Sequence, residues 1–111
     1  RLVGSEMCIR DRALCEEFQP MRRAINDLMK ATADDIDTNK YDNYREILAQ
    51  ADACKDELSV LRKQHIDRMQ ANTDASQLQI DLLYLNVLQE SQQLLSNMRH
   101  QLRAAKKFME N

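Results

Sequence analysis

The chain has 111 residues, of which 43% are hydrophobic and 31% charged, with a formal net charge of −2; it holds one glycine, one proline and no tryptophan. So few turn residues and aromatics exclude most β architectures and the collagen-like, glycine/serine-linker and proline-rich classes. The balanced charge gives no electrostatic case for nucleic acid, and an amphipathic helical bundle remains.

The only glycine, Gly4, lies in the opening segment Arg1 to Arg12, RLVGSEMCIRDR, which shows neither helical nor alternating periodicity. Its string LVGSEMCIRD resembles one reading frame of a transposase-type sequencing adapter, a contaminant of assembled metagenomic genes. On that reading residues 1–12 are a non-native scar to be set aside from fold reasoning. The native sequence then starts at about Ala13, as a fragment whose upstream part is lost. A real N-terminal arm or a degenerate signal sequence is the competing reading, but the segment lacks an apolar h-region of the length a signal needs. Without this segment, which carries three arginines, one Asp and one Glu, 16 basic and 18 acidic residues become 13 and 16 and the net charge becomes −3. Two cysteines then remain, Cys15 and Cys54, 39 positions apart and without metal-ligand spacing. Scattered thiols fit a reducing compartment and small buried or half-buried packing roles rather than a disulfide framework.

The first predicted helix covers about Gln19 to Ala33, or begins a few residues earlier if Cys15 to Phe18 continue a lost upstream turn. Phe18, Met21, Ile25, Leu28, Met29 and Thr32 fall near i, i+3, i+4, i+7 spacing, leaving Arg22, Arg23, Asn26, Asp27 and Lys30 outside. Pro20 suits a first turn, where a missing N–H costs little. The stretch Asp34 to Asp42, DDIDTNKYD, reads as a break, because short polar side chains offer the backbone hydrogen bonds that compete with helix. Its Asp34, Asp35 and Asp37 form a dense acidic cluster that reads as caps at a helix end, with a metal site as the alternative.

The second helix is expected over about Asp42 to Gln70. Tyr44, Ile47, Ala51, Cys54, Leu58, Leu61, His65 and Met69 recur at mostly alternating steps of three and four, a heptad-like seam. After a break at Ala71 to Ser76, where Asp74 and Gln77 resemble a capping box, the third helix is expected over about Ala75 to Met109. Ile80, Tyr84, Val87, Leu94, Met98, Ala105 and Phe108 form its seam, and Leu78, Leu82, Leu85, Leu88, Leu95 and Leu102 widen it. A helix with two adjoining apolar rows wants neighbours on two sides, and the first helix as predicted is too short to cover it. Neither of its longest uncharged runs, Leu82 to Gln89 and Ser91 to Met98, approaches the ~20 residues a bilayer span needs. The fold class is therefore all-α, a three-helix bundle with long second and third helices.

Few residues carry candidate chemistry. Asp52 and Asp56 form a D-x-x-x-D that puts two carboxylates one helical turn apart, a spacing that can hold a divalent or Fe/Mn-type cation. A solvated charged face beside the seam explains the same pair without metal. Arg99, Arg103, Lys106 and Lys107 form a basic stripe near the end of the third helix, which offsets the helix dipole or meets an acidic partner or anionic membrane surface. His65 and His100 are 35 positions apart and belong to no catalytic motif, so the first reads as a half-buried bundle residue and the second as exposed. No glycine is left for a phosphate-cradling loop, and an enzyme is not expected.

Taken together, DELSVLRKQHIDRMQ, a short polar link and SQLQIDLLYLNVLQESQQLLSNMRHQLRAAKKFME resemble the C-terminal part of the PhoU-like helical domain, in the version that follows the membrane domain of bacterial sodium/phosphate cotransporters. The stretch Leu82 to Glu90, LLYLNVLQE, is similar to that family's LYLDIL-E segment, with Asn86 standing where the family carries an acidic residue. The spacing of Asp52 and Asp56 matches the acidic metal motif of PhoU proteins, present here once rather than several times. The resemblance covers roughly Pro20 to Glu110. It implies an antiparallel three-helix half of a PhoU-like domain on the cytoplasmic face of the bacterial inner membrane. Its function would be regulation or coupling of sodium-dependent phosphate transport by helix–helix interaction. Its partners would be an upstream membrane transport domain, companion helices of the same protein and a second copy in a homo-oligomer. The alternative is a structural or dimerisation helical bundle, or coiled-coil module, unrelated to transport.

Overall fold

The computed structural model describes residues 4–71 and 74–110, with side chains described from Arg12 onward. Of the adapter-like segment, residues 1–3 lie outside the described residues, as do positions 72 and 73 of the second break. The chain is all-helical: α1 (Gly4–Thr38), α2 (Tyr44–Ala71) and α3 (Leu78–Glu110), with a 3-10 turn at Ala75–Gln77 leading into α3. The three pack into a bundle 56 Å long.

α1 departs most from the sequence expectation. It runs from Gly4 to Thr38 instead of from about Gln19 to Ala33, and Pro20 stands inside it instead of in its first turn. Leu14 and Phe18 continue the apolar stripe upstream of Pro20, so Leu14, Phe18, Met21, Ile25, Leu28 and Thr32 form one unbroken seam at alternating steps of four and three. Burying that seam outweighs the local cost of proline. Pro20 and Glu16, whose carbonyl loses its donor, are both exposed, so that carbonyl stays open to solvent and the missing bond costs little. Met29, expected on the stripe, is 41% exposed.

The polar residues from Asp34 onward do not break the helix either. Asp34, Asp35 and Asp37 belong to its last turns rather than acting as caps, and the stop comes at Asn39, the one described non-glycine residue with positive φ (57°). The Lys40 N–H donates to the Asp35 carbonyl at 3.1 Å, the six-to-one bond of a Schellman ending, with Asn39 in the left-handed position. Asn43 starts α2, its carbonyl accepting from Ile47 N–H at 3.0 Å. With its amide nitrogen turned toward α1, Asn43 donates to both Asp35 oxygens, at 3.0 and 2.6 Å. Burial, with Asp34 and Asp42 adding to it, pushes the Asp35 carboxyl above its ordinary value.

At the second break Asp74 caps the 3-10 turn, accepting from the Ser76 N–H at 3.0 Å and the Ser76 hydroxyl at 2.7 Å. The reciprocal half of the expected capping box is not formed: Gln77 Oε1 is buried without a hydrogen-bond partner.

The seam of α3 is rotated from its expected position. Tyr84, Leu88, Leu95, Met98 and Leu102 are buried, whereas Val87, Leu94 and Phe108, expected in the seam, are exposed with Leu78 and Leu82. The rotation follows from α2, whose Ile47, Ala51, Cys54, Leu58 and His65 line the facing seam. Polar contacts hold these two helices in register: His65 with Asp81, Ser59 with Gln92, Asp52 with Arg99. Partners that come later on α2 come earlier on α3. Leu58, Leu88, Leu95 and Leu102 are the fully buried leucines of this core, each contributing about 1.5–3 kcal/mol relative to exposure.

Candidate functional site

The two clusters singled out in the sequence meet each other. Asp52 on α2 and Arg99 on α3 face across the helix interface, with Arg99 Nε 3.2 Å from Oδ1 and Nη2 3.4 Å from Oδ2. The carboxylate proposed for a cation is thus already matched to a guanidinium from the basic stripe. Asp56, one turn on, is exposed. Among the described residues no group of three or more His, Cys, Asp or Glu side chains is placed to hold a metal ion. Lys106 is turned inward as well. Its ammonium pairs with Glu110 and sits 5.1 Å from the centre of the Tyr44 ring. Arg103 and Lys107 remain exposed, so the stripe presents fewer free charges than its sequence spacing implies.

A polar cluster that joins all three helices was not assembled from the sequence. His65 on α2 is fully buried rather than half-buried. Its Nε2 lies 3.2 Å from the Asp81 backbone carbonyl and 3.3 Å from Asp81 Oδ1, while Arg68 Nη2 lies 2.9 Å from its Nδ1. Arginine can only donate and a carbonyl can only accept, so the geometry assigns the Nε2–H tautomer, with Nδ1 as acceptor. Arg68 also forks onto Glu17 of α1, through two bonds of 3.0 Å, and Tyr84 of α3 donates to Glu17 Oε1 at 2.7 Å. The Tyr84 ring stands edge-on to both His65 and Phe18.

Charge follows this geometry. The Arg68 guanidinium holds the Glu17 carboxyl below its ordinary value against an opposing push from burial, and the Tyr84 hydroxyl adds to the lowering. Burial first, and the bond to Glu17 second, push the Tyr84 phenol well above its ordinary value. The sequence did contain one signal for this cluster: His65 is an ionisable residue on the predicted α2 seam, whereas Asp81 lay on neither row expected for α3. His100 is exposed, as expected. Of the thiols, Cys54 is buried and pushed up by burial, with Glu57 adding, whereas Cys15 is exposed instead of packed inside.

The third feature is a face. On the side where α1 and α3 meet, away from α2, an open groove of about 730 Å³ is lined by Met29, Thr32, Ile36, Leu94, Met98 and Gln101 among others. A smaller pocket of about 200 Å³ lies farther toward the start of both helices, between Leu14, Phe18, Ile80, Leu83, Tyr84 and Val87. The expectation that α1 is too short to cover α3 is corrected by its reach: even without the adapter-like residues it runs from Ala13 to Thr38, beyond the expected Gln19 to Ala33 at both ends. The second apolar row is uncovered because no element among the described residues lies over it, not because α1 stops early. No helix among the described residues is long and apolar enough to cross a membrane.

No protein-family model, no curated protein and no solved structure matches the chain.

Proposed function

We propose that the chain is an antiparallel three-helix bundle that serves as a regulatory, coupling module of a sodium-dependent phosphate transporter and works by helix–helix interaction rather than covalent chemistry. The observation that carries this reading is the uncovered α1–α3 face, where Met29, Ile36, Leu83 and Leu94 stay exposed beside a well-packed core. Such a face gains by burial against another element. A docking that differs between two states of a partner biases that partner's equilibrium. The similarity of Asp56 to Gln70 and Ser76 to Glu110 to PhoU-like domains supplies the transporter, the cytoplasmic face of the inner membrane and an upstream membrane domain as partner. In this reading Asp52 and Asp56 keep the spacing of a metal motif, and Arg99 is the side chain a cation would displace.

The test begins with the source gene read upstream of Ala13. Membrane-spanning segments joined in frame are the expected result, and a long heptad array without them sinks the transport reading. Sodium-dependent phosphate uptake by the encoded protein is then compared with that of its Leu94→Glu variant at equal membrane abundance. Altered uptake supports coupling through this face, and unchanged uptake overturns it. A second reading, a structural or dimerisation bundle unrelated to transport, draws on the regular three-four seams of all three helices and predicts the heptad array.

A further inference from the structure

We infer that the α1–α3 face docks a second copy of this chain, with the two faces antiparallel about a two-fold axis near Met29 and Leu94. The inference rests on reading the bundle as an interaction module and deepens it by naming the occupant. A two-fold contact requires a surface complementary to itself, and two independent features of this face satisfy that condition about the same axis.

The first is charge. Arg22 lies seven positions before Met29 on α1 and Asp37 eight positions after it, about 10–12 Å to either side at the helical rise. Both are exposed and neither forms an ion pair among the described residues. Reversal about Met29 brings Arg22 of one copy opposite Asp37 of the other, twice per dimer. Asp34 and Asp37 also stand at the negative end of the α1 dipole, with no basic residue in its last turn, so an incoming cation there is favoured further.

The second is shape. Phe108 is 77% exposed and lies 14 positions after Leu94. Reversal about Leu94 carries it to the level of Ile80, 14 positions before, which lines the 200 Å³ pocket with Leu83 and Val87. The most exposed large apolar side chain among the described residues of one copy thus arrives at the apolar pocket of the other, while the larger grooves around Met29 and Leu94 face each other at the axis. A fourth-helix partner would need none of this symmetry.

Sedimentation equilibrium of the full chain, with circular dichroism as the control for folding, tests the inference. The expected result is a dimer that Leu94→Glu weakens about a hundredfold or more by placing a charge in the buried centre, and that Phe108→Ala also weakens, both with helicity unchanged. Arg22→Asp and Asp37→Arg are each expected to weaken the dimer about fivefold, and the double variant to restore it. A folded monomer throughout, a dimer indifferent to Leu94→Glu, or charge variants without mutual rescue would overturn the self-docking. A monomer whose full-length Leu94→Glu variant still alters phosphate uptake would overturn the second copy as occupant and leave the coupling reading standing.

Discussion

His65 and Asp81 meet across the α2–α3 interface with both side chains almost wholly removed from solvent, the imidazole at 3.3 Å from the carboxylate and 3.2 Å from the same residue's carbonyl. They occupy seam positions of facing helices, so the pair fixes which turn of α2 lies against which turn of α3. Removing the imidazole takes away this contact and the acceptor that Arg68 uses, which costs about 1–3 kcal/mol, whereas an apolar pair of similar volume recovers much of the loss. His65→Leu is therefore expected to lower stability by that order, and His65→Leu/Asp81→Leu to regain much of it. Urea unfolding followed by circular dichroism measures both. A double variant as unstable as the single one would show that the interaction is not a matched pair.

Glu17 carries the pH dependence of the same cluster. Its ordinary value is 4.5 and Arg68 lowers it in the folded chain, so the folded state holds the ionised form more tightly than the unfolded chain does. The resulting stability is fully present above the ordinary value and is lost as pH falls through the lower folded value. Glu17→Gln is expected to cost about 1 kcal/mol near neutrality, the scale of a partly exposed charge pair. The gap between variant and parent should close as the pH falls through the ordinary value of 4.5 and on through the lowered folded value, read as melting temperature against pH. A gap that persists undiminished in acid would detach Glu17 from Arg68.

How much was legible beforehand depended on how local the cause was. The seams of α1 and α2 could be read because they repeat at three and four residues, and the exposure of Arg22, Arg23, Asn26, Asp27 and Lys30 follows from the same periodicity. The ends of α1 could not, because proline and the acidic run Asp34 to Asp37 carry unfavourable local preferences that only tertiary burial of Leu14, Phe18, Thr32 and Asp35 overrides. In α3 leucines stand on several faces, so periodicity allowed more than one seam, and contact with α2 selected Leu88 and Leu95 over Val87 and Leu94. The contacts of Glu17 with Arg68 and Tyr84 span 51 and 67 positions, and no local pattern encodes them.

Arg99 and Asp52 set a competition that can be measured. Asp52 is more than half exposed while Arg99 is largely covered, so the pair contributes at most about 1 kcal/mol and is screened by salt. Arg99→Ala is expected to destabilise the chain only slightly, and less at high salt. The same change frees the Asp52 carboxylate beside the exposed Asp56 of the D-x-x-x-D, so Mn²⁺ titrated calorimetrically should bind more tightly to Arg99→Ala than to the parent. Equal or weaker binding in the variant would remove Asp52 and Asp56 as a cation site.

Leu94 and Leu95 are adjacent, yet one is 41% exposed and the other fully buried. Truncating Leu95 leaves a cavity among the α2 and α3 seam residues, at a cost of about 2–5 kcal/mol. Leu94 is already 41% exposed in the monomer, so Leu94→Ala is expected to cost only about 1 kcal/mol in dilute solution, well short of Leu95→Ala. At concentrations where two copies associate, the Leu94→Ala penalty should grow while that of Leu95→Ala stays fixed, because only Leu94 lies on the open face. Thermal unfolding of both variants across a range of protein concentrations separates these effects. Equal penalties in dilute solution would return Leu94 to the core seam and leave the α1–α3 face without its centre.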